Sequence, residues 1–210
     1  MTHAPTLAPR SRLIWNLPNI LTYGRVLAVP AVTALLFWHT ENWMRWLALA
    51  IFAAAAVTDY FDGYLARAWQ QQSALGRMLD PIADKLLVAA TLLMLVHAGT
   101  IQSWSIWAAI VILCREILVS GLREFLAELR VSVPVTALAK WKTAGQLVAI
   151  AFLIAGPAGE RLLPGTEAIG LSLLWIAAGL TIYTGWDYMQ AGIKHMIEDD
   201  RAIDRGGNPP

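Results

Sequence analysis

The sequence predicts an all-α integral membrane protein with six transmembrane helices, both termini cytoplasmic, and a short N-terminal interfacial helix. Hydrophobic residues make up 57% of the 210 residues and charged residues only 15%, whereas a soluble domain carries about 25% charged residues. Six segments reach the roughly 20 mostly apolar residues that a helix needs to cross a bilayer, once some polar interruptions are allowed. Lys and Arg residues are concentrated on one side of these segments, which predicts the orientation of the helices.

The six segments follow one another with short connections that contain Pro, Gly or charged residues and leave no room for a second domain. The predicted spans cover approximately 19–38, 43–67, 76–98, 104–127, 135–156 and 168–192. Ser11 to Leu17 mixes polar and apolar residues, which is typical of a short helix lying in the membrane interface. We therefore predict a tail with an interfacial helix over 1–18, a six-helix domain over 19–196 and a polar tail over 197–210.

Charge and cysteine content exclude several classes of function. A net charge of +1 provides no overall basic field for nucleic acid, and the single Cys114 excludes a disulfide framework and a thiolate metal site. Of the 16 Lys and Arg residues, only Arg45 and Arg161 lie in or near the exterior connections when both termini are placed inside. This distribution follows the positive-inside rule.

Four carboxylates lie at the cytoplasmic ends of two consecutive spans. Asp59 and Asp62 end the second span, and Asp80 and Asp84 begin the third. At about 100° per residue, each pair shares one helix face with small residues that leave room for a bulky ligand, namely Gly63, Ala66 and Gly76. Antiparallel helices can place all four acids around one cavity, where the anions require cations. Oxygen-only ligands favour Mg²⁺ or Mn²⁺, so this pattern predicts a metal-assisted phosphate site.

Cations on the fourth and fifth spans indicate an anionic acceptor. Guanidinium and ammonium groups bind a phosphate through oriented, charge-assisted hydrogen bonds, which favours a phosphorylated alcohol over choline or ethanolamine. The candidate cations are Arg115, Arg123, Lys140 and Lys142. Two alternatives stay open: the arginines could pair with Glu116 or Glu124, and the lysines could anchor the fifth span.

The acids also have simpler interpretations. Asp80 could cap a helix before Pro81, Asp84 could pair with Lys85, and the acids of the second span could form a solvated helix end. A divalent-cation transporter is an alternative function, because acidic residues within a membrane can form a permeation site. Transport sites tend to lie at the midplane between repeats, whereas these acids lie at one end of the spans.

The stretch from Asp59 to Asp84 reads D-x-x-D-G-x-x-A-R, eight residues, G-x-x-x-D-x-x-x-D. This pattern resembles the signature of the CDP-alcohol phosphatidyltransferase family at every specified position. The resemblance implies a six-helix membrane fold, usually homodimeric, whose members displace CMP from a CDP-linked substrate with an alcohol. It also implies that Asp59, Asp62, Asp80 and Asp84 bind two divalent metal ions and that Asp84 acts as the base.

Within this family, the stretches 16–25, 115–124 and 140–143 are most similar to the bacterial phosphatidylglycerophosphate synthases. That resemblance implies CDP-diacylglycerol as donor, sn-glycerol 3-phosphate as acceptor, and a bacterial inner membrane location with the active site facing the cytoplasm. The expected donor contacts are Asn19, Gly63, Ala66, Arg67, Ser73 and Gly76. The expected contacts to the acceptor phosphate are Arg115, Arg123, Lys140 and Lys142. Another acceptor, such as inositol phosphate or serine, stays open.

Overall fold

The structure, a computed structural model, describes residues 17–38, 41–69, 74–128 and 137–204. Within these ranges, the side chains of several helical stretches, including 60–69, 74–77 and 137–140, are not described. The predicted interfacial helix at residues 11–17 lies almost wholly outside the described residues, and so does Ser73.

Six α-helices account for nearly all of the described chain, and these ranges contain no strand. The all-α class is therefore confirmed, and each helix begins close to its predicted start. The helices are α1 (Leu17–Phe37), α2 (Asn42–Trp69), α3 (Ala74–His97), α4 (Ser105–Glu128), α5 (Ala137–Glu160) and α6 (Thr166–Asp204).

Four helical stretches in the described part of the chain are long and apolar enough to cross a membrane: Asn19–Phe37, Ser105–Ala127, Trp141–Glu160 and Thr166–Gln190. Helices α2 and α3, which carry Arg45, Asp59 and Asp80 among their apolar residues, are not among these four. Large apolar side chains such as Leu27 and Ile117 are exposed on the helices, as expected of surfaces that face lipid. The helices therefore suit a lipid bilayer, while the count of six spans stays a prediction.

The chain divides into two compact units. The first comprises Met1–Thr100 and Ala151–Glu167, and the second comprises Ile101–Ile150 and Ala168–Pro210. In the first unit, α1 packs against both α2 and α3, with Leu36, Phe52 and Leu92 among the buried apolar side chains. In the second unit, Ile112 of α4, Ile150 of α5 and Leu174 of α6 are fully buried.

Helix α5 is broken at Gly156, where φ is 41° and ψ is −126°. Pro157 follows and has no backbone N–H to continue the helical hydrogen bonding. The carbonyl of Ile154, just before the break, accepts a hydrogen bond from Arg45 Nη1 at 3.2 Å, and Arg45 Nη2 donates to Thr100 Oγ1 at 3.2 Å. A buried guanidinium from the start of α2 therefore stabilises the broken end of α5 within the first unit.

Helix α6 continues to Asp204 and so extends well beyond the predicted end of the sixth span near residue 192. The prediction ended the span where the apolar residues end. Helical hydrogen bonds join backbone groups and do not require apolar side chains, so the helix continues into a polar sequence.

Candidate active site

Helix α1 presents one buried face whose polar and apolar residues are segregated along its length. The buried positions follow one another at helical spacing, three polar residues first and three apolar residues after them: Asn19, Thr22, Arg25, Ala28, Val32 and Leu36. Since α1 packs against α2 and α3, the polar half of this face meets the last turns of α2 and the first turns of α3. These are the turns that contain the predicted carboxylates.

Two of the four predicted carboxylates contact α1 directly. Arg25 Nη1 lies 2.7 Å from Asp59 Oδ1, and Thr22 Oγ1 donates a hydrogen bond to Asp80 Oδ1 at 2.5 Å. The Asp59 carboxylate is attracted by Arg25 and repelled by Asp80, which places the two acids within electrostatic range of each other. Helix α1 therefore brings together acidic side chains from two different helices.

The two side chains of the ion pair between Arg25 and Asp59 differ in their exposure. The side chain of Arg25 is 1% exposed, whereas that of Asp59 is 43% exposed. A buried charge is stabilised only when it is paired and hydrogen-bonded. The guanidinium of Arg25 is therefore buried in the protein, while the carboxylate of Asp59 is partly accessible.

The structure describes less of the other two predicted metal ligands, Asp62 and Asp84. Asp84 is half-buried and follows Asp80 by about one turn of α3. Asp62 follows Asp59 by about one turn of α2, and its side chain is not described. Among the described side chains, no group of three acidic, His or Cys residues is arranged to bind a metal ion. The oxygen-only character of the set still fits a hard divalent cation.

Among the predicted donor contacts, Asn19 is 2% exposed and lies about one turn before Thr22 on α1. For four other predicted donor contacts the structure describes only the backbone. Gly63, Ala66 and Arg67 lie on α2, and Gly76 lies on α3. Sequence reasoning did not single out Thr22 and Arg25 as site residues. The available signal was the spacing of three between Asn19, Thr22 and Arg25 in an otherwise apolar helix.

In the second unit, Arg115 links α4 to α6. Its Nε donates to the carbonyl of Thr181 at 3.1 Å, and its Nη2 donates to Thr184 Oγ1 at 3.0 Å. Its Nη1 lies 3.5 Å from Glu116 Oε1. A Cβ added at Gly185 would lie 3.1 Å from Arg115 Cγ, so the missing side chain makes room for the arginine. Three groups of the protein therefore already engage this predicted phosphate ligand.

Lys142 of α5 forms an ion pair and hydrogen bond with Glu116 of α4. Lys142 is 3% exposed, so its side chain is buried within the second unit. Anchoring of the fifth span by this lysine stays an alternative. Lys140 begins α5 two residues earlier, and its side chain is not described.

Arg123 differs from Arg115 in its exposure. Its side chain is exposed, and its guanidinium carbon lies 5.9 Å from the centroid of the Tyr188 ring. At that distance an arginine gains a modest cation–π attraction. Arg123 is therefore more accessible than Arg115, whose side chain is 12% exposed.

Comparisons with known proteins confirm the family that the sequence resembles. The family model described as CDP-alcohol phosphatidyltransferase matches residues 15–183. A protein of Cereibacter sphaeroides named CDP-diacylglycerol–glycerol-3-phosphate 3-phosphatidyltransferase is 41% identical over 218 aligned residues, covering 88% of this chain and 99% of the relative. A protein of Rickettsia bellii with the same name is 44% identical over 180 residues, covering 86% and 97%.

A third relative with that name, from Pseudomonas fluorescens, is 41% identical over 189 residues, covering 89% of this chain and 94% of the relative. The family match begins before α1 and ends within α6, so it includes α1 and both carboxylate pairs. With relatives of this similarity aligned over nearly their whole length, the chain belongs to the CDP-alcohol phosphatidyltransferase family.

Proposed function

We propose that this chain transfers the phosphatidyl group of CDP-diacylglycerol to sn-glycerol 3-phosphate, giving phosphatidylglycerophosphate and CMP. The observation that carries the proposal is the pair of acids from α2 and α3 that α1 holds together, with Asp59 partly accessible. Such a site suits a reaction between a diphosphate anchored in lipid and an alcohol dissolved in water. Relatives that align over nearly their whole length are named for this transfer.

Two divalent ions, Mg²⁺ or Mn²⁺, are proposed to bind to Asp59, Asp62, Asp80 and Asp84. The donor set contains only oxygen ligands, which is the chemistry these ions prefer. When bound, the ions supply positive charge to the diphosphate of the donor.

Asp84 is proposed to accept the proton of the attacking glycerol hydroxyl. The hydroxyl oxygen then forms a bond to the phosphorus that carries diacylglycerol, and the bond from that phosphorus to the CMP oxygen breaks. Small residues beside the acids allow the donor to approach the helix backbones. The proposed donor contacts are Asn19, Gly63, Ala66, Arg67, Ser73 and Gly76.

The proposed acceptor site consists of Arg115, Arg123, Lys140 and Lys142. Arg123 is exposed, whereas Lys142 is buried. Lys142 is paired with Glu116, so a phosphate bound by Lys142 has to share the ammonium with that carboxylate or displace it. Charge-assisted bonds to a phosphate are stronger than neutral hydrogen bonds, which makes such an exchange feasible.

The finer topology also belongs to the proposal. It comprises six spans, cytoplasmic termini, a homodimer, and a position in the bacterial inner membrane with the active site facing the cytoplasm. The distribution of Lys and Arg supports the orientation. The family resemblance supports the homodimer.

The test is CMP release by the purified protein in lipid nanodiscs containing labelled CDP-diacylglycerol. We expect release that requires both sn-glycerol 3-phosphate and Mg²⁺ or Mn²⁺, together with a labelled phosphatidylglycerophosphate product. Inositol phosphate and serine, offered in parallel, should not substitute. Release supported equally by either of them would contradict the proposed acceptor. Divalent-ion flux without any CMP release would favour the transporter.

A further inference from the structure

The hydroxyl of Thr22 makes a bond that a helical threonine does not need to make. A threonine in a helix can donate to the carbonyl four residues earlier, as Thr33 of the same helix does to Val29 at 2.7 Å. Thr22 donates across to Asp80 of α3 at 2.5 Å, although it is only 2% exposed. Its hydroxyl therefore fixes the carboxylate of another helix.

Arg25 lies about one turn later on the same helix and contacts a carboxylate of α2. Its buried guanidinium contacts Asp59 at 2.7 Å, while the carboxylate itself is 43% exposed. Exposed ion pairs fix geometry weakly because both partners are mobile and solvated. Here the cation is enclosed by protein, so Asp59 has a fixed partner on one side and access on the other.

Both contacts engage one oxygen of an acid that the proposed function assigns to metal binding. Thr22 engages its acid through a hydrogen bond and Arg25 through an ion pair. Partners of metal-binding carboxylates orient them, and loss of such a partner typically lowers metal affinity about 10 to 100-fold. Arg25 also offsets the repulsion between Asp59 and Asp80.

We infer that Thr22 and Arg25 are positioning residues, which hold Asp80 and Asp59 in the orientation that binds a divalent cation. This inference rests on the proposed function, since that function assigns the two acids to the metal. It adds that α1 prepares the site before any substrate binds. The segregation of polar and apolar residues on its buried face then has a purpose: one half orients the acids and the other half packs the helix.

Two substitutions test the inference without changing the net charge. Thr22→Val removes the hydroxyl and preserves the shape, and Arg25→Lys keeps the charge on a shorter side chain with a different head group. We expect each to weaken Mn²⁺ binding by roughly tenfold, measured by electron paramagnetic resonance on the substrate-free protein in nanodiscs. Thr22→Ser, which keeps the hydroxyl, should bind Mn²⁺ nearly as the wild-type protein does.

The chain offers a matched control for each substitution. Thr33→Val makes the same change elsewhere on α1, and Arg45→Lys makes the same change at another buried arginine, one that contacts Thr100 and Ile154. Arg45→Lys should lower the unfolding temperature but not Mn²⁺ affinity, and Thr33→Val should leave that affinity unchanged. These controls separate a lost orientation from a general loss of stability.

Wild-type Mn²⁺ affinity in both Thr22→Val and Arg25→Lys would overturn the inference, as would an equal loss of affinity in the matched controls. Either result would leave the proposed function standing if the wild-type protein still released CMP in response to sn-glycerol 3-phosphate. Conversely, a tenfold loss of Mn²⁺ affinity in a protein that releases no CMP would support the positioning role and contradict the proposed function.

Discussion

Replacing Arg115 by alanine should affect stability as well as catalysis, whereas replacing Arg123 should affect catalysis alone. Arg115 makes two hydrogen bonds to α6, at 3.1 and 3.0 Å, and a Cβ at Gly185 would lie close to its side chain. Hydrogen bonds between membrane helices contribute about 0.6 kcal/mol on average and up to roughly 1.7 kcal/mol. The two bonds together therefore stabilise the second unit by about 1 to 3 kcal/mol.

The exposed Arg123 contacts Tyr188 at 5.9 Å from the ring centroid. An exposed cation–π contact contributes about 0.5 to 1 kcal/mol, so Arg123→Ala should change stability little. Loss of a charged hydrogen bond to the acceptor phosphate costs about 1.5 to 3 kcal/mol, which predicts roughly a tenfold or larger fall in kcat/KM for sn-glycerol 3-phosphate in either variant.

The measurements are thermal unfolding in detergent and initial rates over a range of acceptor concentrations. We expect Arg115→Ala to unfold several degrees below the wild-type protein and Arg123→Ala close to it. Both should raise the KM for the acceptor and leave donor binding largely intact. An unchanged unfolding temperature in Arg115→Ala would refute the link between α4 and α6, and unchanged acceptor kinetics in both variants would refute an anionic acceptor.

Further substitutions separate the roles of the acids and test the break in α5. Asp59→Asn should weaken Mg²⁺ and donor binding together and recover partly at high Mg²⁺, whereas Asp84→Asn should stay nearly inactive because an amide accepts no proton. If a Mg²⁺ titration restored Asp84→Asn to near wild-type turnover, Asp84 would be only a ligand. Gly156→Ala should cost about 1 to 3 kcal/mol, since its Cβ would lie 2.6 Å from Arg45 Nη1 at a φ of +41°. Gly145→Ala, with open space around the added Cβ, is the control, and equal unfolding temperatures for both glycine variants would contradict this reasoning.

The helices could be predicted from the sequence because each contains a mostly apolar run, and four of these runs in the described part of the chain are long and apolar enough to cross a membrane. The end of the sixth helix could not, since the polar residues after the apolar run carry no signal that distinguishes a tail from a continued helix. The fifth span was predicted to end at residue 156, and the structure has its break at Gly156. There Gly and Pro change the backbone itself, which makes the position visible in the sequence.

The candidate site was less predictable where it depends on contacts between helices. The spacing of Asp59 and Asp80 within their own helices indicates a shared function, but it does not show which residue of α1 meets them. Arg25 interrupts an apolar segment, and only the packing of α1 against α2 explains why. The pairing of Lys142 with Glu116 was hidden for the same reason, because the partners lie on different helices. The metal, donor and acceptor roles of these residues stay predictions.

The contacts of Arg45 have a consequence for the order in which the protein is made. Its two hydrogen-bond acceptors lie 55 and 109 residues later in the chain, at Thr100 and Ile154. During synthesis from the N-terminus, α2 therefore exists for a long interval before the carbonyl that satisfies its guanidinium has been made. Until then the guanidinium has only Thr100 of these two acceptors and otherwise depends on water or lipid headgroups, because an unpaired guanidinium is costly in an apolar interior. The first unit is complete only when the second half of α5 has been made, so a nascent chain released before Ile154 lacks one of the two acceptors of the Arg45 guanidinium.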